Sequence, residues 1–270
     1  MIRILEQKPA WIEWPLKAIL LLLFAVVVCF PRLDLLVVSL KRYANPNALI
    51  NPESEALIPW IEEFEKERDL NWERPVLAKN VERFVYKKLP YEWDWNLWAN
   101  ADYFPTVEEA VAKGKEDCDG RAIVAASMLE HYGIKATLVS DLIHVWLKTD
   151  AGEVMGARKS HATLGKKDAS VFAMARQFIR ALGFSISIFP LSRELLILGF
   201  ASWLLLPTGF RWEAAVPFLL LTVIGLMLLR EGGQHSRNPD LVKNSIGALV
   251  LLGGLLGVFL QRKIGAKSSA

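Results

Sequence analysis

The feature that most constrains this chain is a set of four apolar, almost uncharged segments on either side of a polar middle. The segments are Ala18–Phe30, Leu195–Leu206, Ala214–Leu229 and Ile246–Leu260. A perpendicular span needs about 20 apolar residues, so each segment must extend into its flanks to cross a bilayer. Apolar segments that follow one another with so little charge are typical of membrane helices. The sequence therefore predicts a multi-pass protein of the cell membrane with about four transmembrane helices.

The first apolar segment has the flanks of a retained membrane anchor. Trp11, Trp14 and Lys17 precede it, as aromatic and basic residues do where helices enter a bilayer. A cleaved signal peptide is the alternative, but residues 30–32 (Phe-Pro-Arg) offer no small-residue cleavage site. We predict that the anchor continues into an interfacial amphipathic stretch over residues 33–42.

The last apolar segment predicts helix packing and topology. Gly253 and Gly257 have the spacing that lets two membrane helices approach closely. An even number of spans predicts that both termini lie on one side of the membrane and residues 41–181 on the other. Basic residues flank the segments on both sides, so the positive-inside rule does not choose the side.

These boundaries divide the 270 residues into three regions. Residues 1–43 form the anchor and interfacial helix, residues 44–181 a soluble domain, and residues 182–270 the C-terminal transmembrane helices. The charge is nearly balanced, with 32 basic and 29 acidic residues, so no nucleic-acid partner is predicted. The two cysteines, Cys29 and Cys118, lie in different regions, which argues against a disulfide framework.

Cys118 stands in the most informative part of the soluble region. Residues 122–132 predict a helix, and Asp117 is a plausible N-cap that would place Cys118 in the first turn. There the helix dipole favours the thiolate, and free N–H groups can bind an oxyanion. The neighbouring carboxylates of Glu116, Asp117 and Asp119 oppose thiolate formation, so a nearby imidazolium would have to offset them.

His144 is the imidazole that the downstream sequence supplies. Residues 136–139 and 142–148 predict two strands, and residues 153–155 continue them as a hairpin. A histidine on a strand is rigidly aimed, as a general base requires. The remaining histidines have no ligand-like spacing with Cys, Asp or Glu, so we predict no metal and no cofactor; they are His131, His161 (a distant second candidate for the base) and His235.

The pattern of these residues resembles the bacterial transglutaminase-like cysteine peptidases. It runs from Asp102-Tyr103-Phe104-Pro105 through Gly114 and Asp117-Cys118-Asp119 to His144-Val145-Trp146, within residues 74–156. The resemblance implies an α+β, papain-like fold in which the cysteine helix packs on an antiparallel sheet. It also implies acyl transfer through a thioester, with Cys118 as nucleophile and His144 as base. It adds Tyr103 or Trp98 as a donor near the oxyanion. Trp146, two residues after His144, is predicted to be part of the sheet core or the wall of a substrate pocket.

The chain departs from the family pattern at the third catalytic residue. The family places an aspartate on the strand after the histidine, but residues 153–158 here contain none. Asp168 is the first aspartate after Asp150 and is our candidate to orient His144; a backbone carbonyl or a bound water is the alternative.

Two functions therefore stay open. One is a membrane-bound cysteine peptidase, amidase or acyltransferase that acts on a protein or peptide near the bilayer, with membrane lipid as its surroundings. The other is an inactive transglutaminase-like binding module in a membrane protein assembly. A channel or transporter is disfavoured, because the apolar segments carry almost no central charge.

Overall fold

The computed structural model describes residues 8–141, 143–156, 171–206, 210, 212–233 and 240–267. The chain divides into two compact units. The helical unit comprises Met1–Cys29 and Ser170–Ala270, and the cysteine unit comprises Phe30–Ala169.

The described residues are mostly helical, with one small sheet. In chain order the α-helices are α1 Ala10–Cys29, α2 Leu33–Ala44, α3 Ile58–Glu67, α4 Arg74–Lys88, α5 Asp94–Leu97, α6 Val107–Lys113, α7 Cys118–His131, α8 Val171–Ile188, α9 Leu191–Leu205, α10 Trp212–Gly233 and α11 Leu241–Lys267. Short 3-10 helices cover Pro46–Leu49 and Glu55–Leu57. The strands are β1 Ala136–Ser140, β2 Val145–Thr149 and β3 Gly152–Val154.

In the helical unit, three helices within the described ranges are long and apolar enough to cross a membrane. They are α1, α10 and the Leu241–Gln261 part of α11. A fourth span arises if α8 and α9 count together, but the two are bent by 111° at their junction. These helices are consistent with the predicted membrane protein by their length and composition, and the first helix begins at Ala10, well before the predicted segment.

An arginine holds the bend between α8 and α9. The Arg230 guanidinium donates to the carbonyls of Ile186 and Phe189, both at 2.8 Å, and pairs with the Glu194 carboxylate at 2.5 Å. Because the last carbonyls of a helix have no intrahelical partner, these bonds satisfy the end of α8. Pro190 follows at once as the N-cap of α9.

Helices α10 and α11 approach each other at glycines. A Cβ on Gly225 would lie 2.6 Å from the Leu251 Cα, and one on Gly254 would lie 2.6 Å from the Thr222 nitrogen. Gly257 lies against the Phe218 ring, whereas nothing lies within 4 Å of Gly253. The predicted small-residue contact is confirmed at Gly257 and wrong at Gly253, because Gly254 is the residue on the contact face.

The core of the cysteine unit is built around α7. Residues 122–129 of this helix are buried throughout, as expected for a helix that is covered on all sides. It packs against α4, α6 and strands β1 and β2. Helix α6 begins with a capping box of Thr106 and Glu109 and ends at Gly114 in the left-handed conformation.

The sheet is antiparallel in the order β1-β2-β3. Leu138 lies opposite Leu147, and Leu147 lies opposite Val154. The predicted combination of a cysteine-bearing helix and an antiparallel hairpin sheet is therefore present. One detail was wrong: His144 lies just before β2 and not within the strand, because β2 begins at Val145.

Candidate active site around Cys118

Cys118 is the first residue of α7, as the sequence predicts. Asp117 is the N-cap, and its side chain accepts a hydrogen bond from the Asp119 N–H at 3.2 Å. The thiol is free and only partly accessible to solvent. Among the described residues the Cys118 N–H has no hydrogen-bond acceptor, so this first-turn donor is open to a ligand.

The thiol meets the start of β2. The backbone N–H of Val145, the residue that follows His144, lies close enough to the Cys118 sulfur to act on its pKa. Burial raises the pKa of the Cys118 thiol well above its ordinary value, and the charge of Asp117 adds to this. The Val145 N–H acts in the opposite direction but does not overcome the burial.

His144 is held on three sides. The Asp141 carboxylate accepts from the backbone N–H groups of Ile143 and His144 at 2.7 and 2.8 Å. The imidazole stacks in parallel with the Trp146 ring, at 6.3 Å between centroids and 12° between planes. Its Nε2 lies 2.8 Å from the Met155 carbonyl oxygen.

The Met155 contact determines the tautomer. A carbonyl oxygen only accepts, so Nε2 carries the hydrogen in this contact and Nδ1 is the unprotonated nitrogen of the neutral ring. An imidazole oriented this way has one nitrogen free to take a proton. A backbone carbonyl at this position is one of the alternatives that the sequence suggested for orienting His144, beside a bound water and Asp168.

Met155 occupies an unusual backbone conformation for this purpose. It follows β3 directly, with a φ of 60°, a value that residues other than glycine, asparagine and aspartate rarely adopt. The Glu82 carboxylate accepts from the Met155 N–H at 3.0 Å and so helps to hold the conformation. Conformations of this kind cost about 1–3 kcal/mol and cluster at functional sites.

The other predicted site residues lie in different settings. Asp168 lies outside the described residues. The Tyr103 hydroxyl accepts from Arg42 and donates to Glu109, both at 2.9 Å, and the Trp98 indole N–H donates to Glu116 at 3.2 Å. The buried indole N–H of Trp146 has no acceptor among the described residues. The structure thus places Cys118 beside Val145, the residue that follows His144, and stacks His144 on Trp146, while Tyr103 and Trp98 bond to the carboxylates of Glu109 and Glu116.

Four carboxylates lie next to the cysteine without a cationic partner. Asp94, Glu116, Asp117 and Asp119 are all buried, and one oxygen from each lies within 4.8 Å of the others. None of them forms an ion pair in the described part of the chain. Burial raises the pKa of each, that of Glu116 to about 8. The nearby charges of Arg121 and His144 oppose the rise at Asp117.

This acid cluster has the chemistry of a hard-cation site. One oxygen each of Asp94, Glu116 and Asp119 is buried without a hydrogen-bond partner among the described residues. Carboxylate oxygens are the ligands that Ca²⁺ and Mg²⁺ take. Four buried acids must be neutralised, and either protons or such a cation would do so.

The sequence prediction of no metal site considered histidine spacing and missed these carboxylates. Three acids within residues 116–119, at the start of a buried helix, were the available signal. Gly120 leaves room for the Glu116 side chain, because a Cβ at position 120 would lie 2.6 Å from the Glu116 carboxyl carbon.

An aromatic wall lies one helical turn from Cys118. The Arg121 guanidinium lies 5.1 Å from the Tyr86 ring centroid and 4.9 Å from that of Tyr91, and its Nε donates to the Leu89 carbonyl at 2.8 Å. Both tyrosine rings are partly exposed. They form a partly exposed aromatic surface beside the first turn of α7.

The chain matches no protein-family model, no curated protein and no solved structure. Its function is therefore inferred from the geometry around Cys118.

Proposed function

We propose that the cysteine unit is a membrane-bound thiol enzyme of the transglutaminase-like type, with a papain-like arrangement of helix and sheet. The observation that carries the proposal is the placement of Cys118 at the start of α7, against the N–H of the residue that follows His144. The hydrogen bond from His144 to Met155 supports it, because it leaves Nδ1 as the proton acceptor.

The reaction follows from these groups. The His144 Nδ1 takes the thiol proton while the Cys118 sulfur attacks the carbonyl carbon of an amide or ester. The Cys118 N–H donates to the developing oxyanion. The imidazolium then gives its proton to the departing amine or alcohol, which leaves an acyl thioester on Cys118. Water completes hydrolysis and an amine completes acyl transfer, with His144 again accepting the proton of the attacking group.

Because Asp117 of the acid cluster disfavours a thiolate, the Cys118 thiol has to lose its proton at the same time as its sulfur attacks the substrate carbonyl. Because burial and Asp117 keep the thiol protonated at rest, a stable thiolate–imidazolium pair is disfavoured. A thiol that stays neutral until a substrate arrives is deprotonated by His144 only as the carbon–sulfur bond forms.

The substrate class follows from the membrane spans. An enzyme tethered by α1 acts on protein or peptide segments close to the bilayer, or on membrane proteins that assemble with it. The exposed aromatic wall of Tyr86 and Tyr91 favours an apolar or aromatic side chain beside the scissile bond.

One observation favours the second candidate, an inactive transglutaminase-like binding module. The thiol pKa is raised, and reactive cysteines ordinarily have a lowered one. Under that alternative, the cleft beside Cys118 would bind a peptide without forming a thioester.

An ester substrate distinguishes the two. The full chain carrying Cys29→Ser, so that Cys118 is the only thiol, is incubated with a p-nitrophenyl ester, and the nitrophenol burst and protein mass are recorded. We expect a stoichiometric acyl adduct on Cys118 that hydroxylamine removes. Additional His144→Ala should slow its formation by about 10²–10⁴-fold, and Cys118→Ala should abolish it. If no burst is seen, or if the burst is equally fast in the His144→Ala variant, the enzyme proposal is wrong and the inactive binding module is the remaining candidate.

A further inference from the structure

Helix α2 turns its apolar side outward. Leu33, Val37 and Leu40 are 49%, 55% and 60% exposed, whereas Ser39 is fully buried. The exposed residues are spaced i, i+4 and i+7, which places them on one face of the helix. A helix in contact with water on its outer face has the opposite arrangement, with polar residues outside and apolar residues inside.

The inner side of α2 is fixed to the cysteine unit by polar bonds. The Arg42 guanidinium donates to the Phe104 carbonyl at 2.7 Å and pairs with Glu109, also at 2.7 Å. The Tyr43 hydroxyl donates to the Asp102 carboxylate. The helix is therefore held in this orientation, and its apolar face cannot turn inward without breaking these bonds.

The short connection between α1 and α2 indicates what covers the exposed apolar face of α2. Helix α1, which is long and apolar enough to cross a membrane, ends at Cys29, and α2 begins at Leu33. Four Cα–Cα steps cover at most about 14 Å, so the start of α2 lies at the bilayer surface when α1 spans the bilayer. Lys41 lies exposed beside the apolar face with no ion pair in the described part of the chain, where it can reach lipid phosphates.

We infer that α2 lies in the headgroup region of the bilayer, with the face formed by Leu33, Val37 and Leu40 (the apolar face) toward the acyl chains. The partner of this surface is lipid, and the polar inner side of the helix carries the cysteine unit. Helices with one apolar face and a charged flank bind membranes in this orientation.

The docked helix also determines where the active site faces. Arg42 bonds to the Tyr103 hydroxyl, and the Tyr103 N–H donates to Asp94 of the acid cluster at 2.6 Å. Two bonded steps thus connect α2 to the surroundings of Cys118. This consequence, a reaction confined to segments at a fixed height above the bilayer, rests on the proposed function; the docking itself does not.

Site-directed labelling tests the docking without any activity readout. In the full chain carrying Cys29→Ser and Cys118→Ala, a single cysteine replaces Leu33, Val37 or Leu40 and receives an environment-sensitive NBD label. The matched controls are Asp34→Cys, on the same helix but beside the apolar face, and Leu70→Cys, at an 81% exposed leucine elsewhere in the cysteine unit. The proteins are reconstituted in bilayers of phosphatidylcholine and phosphatidylglycerol.

We expect labels at the three apolar-face positions to shift to shorter wavelength. Nitroxide-bearing lipids should quench them several-fold more than the labels at positions 34 and 70, and aqueous iodide should quench them less. Labels at Val37 and Leu40 that iodide quenches as strongly as the label at Leu70 would overturn the inference. Labels shielded from both iodide and nitroxide lipid would also overturn it, because protein would then cover the face. The Cys118→Ala background keeps either failure separate from a failure of the proposed function.

Discussion

Helix α7 buries its large apolar side chains, whereas helix α11 exposes most of its leucines. In α7, Ile123, Met128 and Leu129 are fully buried. In α11, Leu249 and Leu252 are exposed. The buried residues of α11 are mostly small or polar, among them Gly247, Gly254 and Asn244, with Val258 as the buried apolar exception.

The difference reflects the solvent of each unit. In water, burying large apolar side chains supplies the main driving force for folding. Lipid chains are as apolar as leucine, so helix contacts in a bilayer depend on close packing between small residues. Helix α2 belongs by its contacts to the cysteine unit but exposes leucines as α11 does, and this exception motivates its docking on lipid.

The comparison is tested most severely at adjacent glycines of α11. We expect Gly254→Leu to destabilise the helical unit by about 3 kcal/mol or more, because the new side chain would overlap the backbone of α10. Gly253→Leu should be nearly neutral, since nothing lies within 4 Å of that position and leucine suits lipid. Thermal unfolding of the two variants in the same detergent gives the measurement. Equal losses would show that α11 does not present Gly254 to α10.

The second prediction concerns the acid cluster, whose four carboxyl groups are buried although acidic side chains are usually exposed. Glu116 has an ordinary pKa of 4.5 and a folded-state pKa of about 8. Below pH 4.5 it is protonated in both states, and the folded chain has its full stability. As pH rises toward 8 the unfolded chain ionises first, so stability falls by a few kcal/mol, at about 1.4 kcal/mol per pH unit.

Thermal unfolding of the full chain between pH 4 and 9 checks this, with calcium chelated. Glu116→Gln should reduce the slope of this fall by up to about 1.4 kcal/mol per pH unit, while the raised pKa values of Asp94, Asp117 and Asp119 maintain the rest. Glu108→Gln is the matched control. The Ser54 hydroxyl lowers the pKa of Glu108, so this variant should lose stability between pH 4.5 and 8 as the wild type does. Added Ca²⁺ should flatten the wild-type curve if the carboxylates hold a cation. Parallel curves for wild type and Glu116→Gln would show that this carboxyl is not buried as described.

The smallest expected effect concerns Asp168. Because the Met155 carbonyl already accepts from the His144 Nε2, Asp168→Asn should change the acylation rate by less than about tenfold. Loss of an orienting carboxylate would instead cost about 10⁴-fold. Acylation by the p-nitrophenyl ester, with binding measured separately, distinguishes the two. A drop of several orders of magnitude with binding kept would restore Asp168 as the third catalytic residue.

Local signals in the sequence predicted much of the cysteine unit. Asp117 was identified as an N-cap because its side chain suits that position before a helix, and it caps α7 in the structure. The hairpin of β2 and β3 followed from alternation and the Asp150 turn. The Cys118–His144 arrangement came from resemblance to a family and stays a proposal.

Features that depend on tertiary contacts could not be predicted in this way. The role of the Met155 carbonyl depends on a positive φ that nothing in the sequence requires. Asp94 joins the acids of residues 116–119 only through the path of the chain around α5.

The most direct test of the central claim is the pH dependence of Cys118 alkylation in the Cys29→Ser chain. Iodoacetamide is reacted between pH 5 and 9, and the modified peptide is quantified for the chain with and without His144→Gln. If His144 activates the thiol, Cys118 should react at neutral pH at least tenfold faster with the histidine present. Because burial raises the pKa of the Cys118 thiol well above its ordinary value, the profile without the histidine should stay the slower one up to pH 9. Coincident profiles across the whole range would contradict a catalytic Cys118–His144 pair.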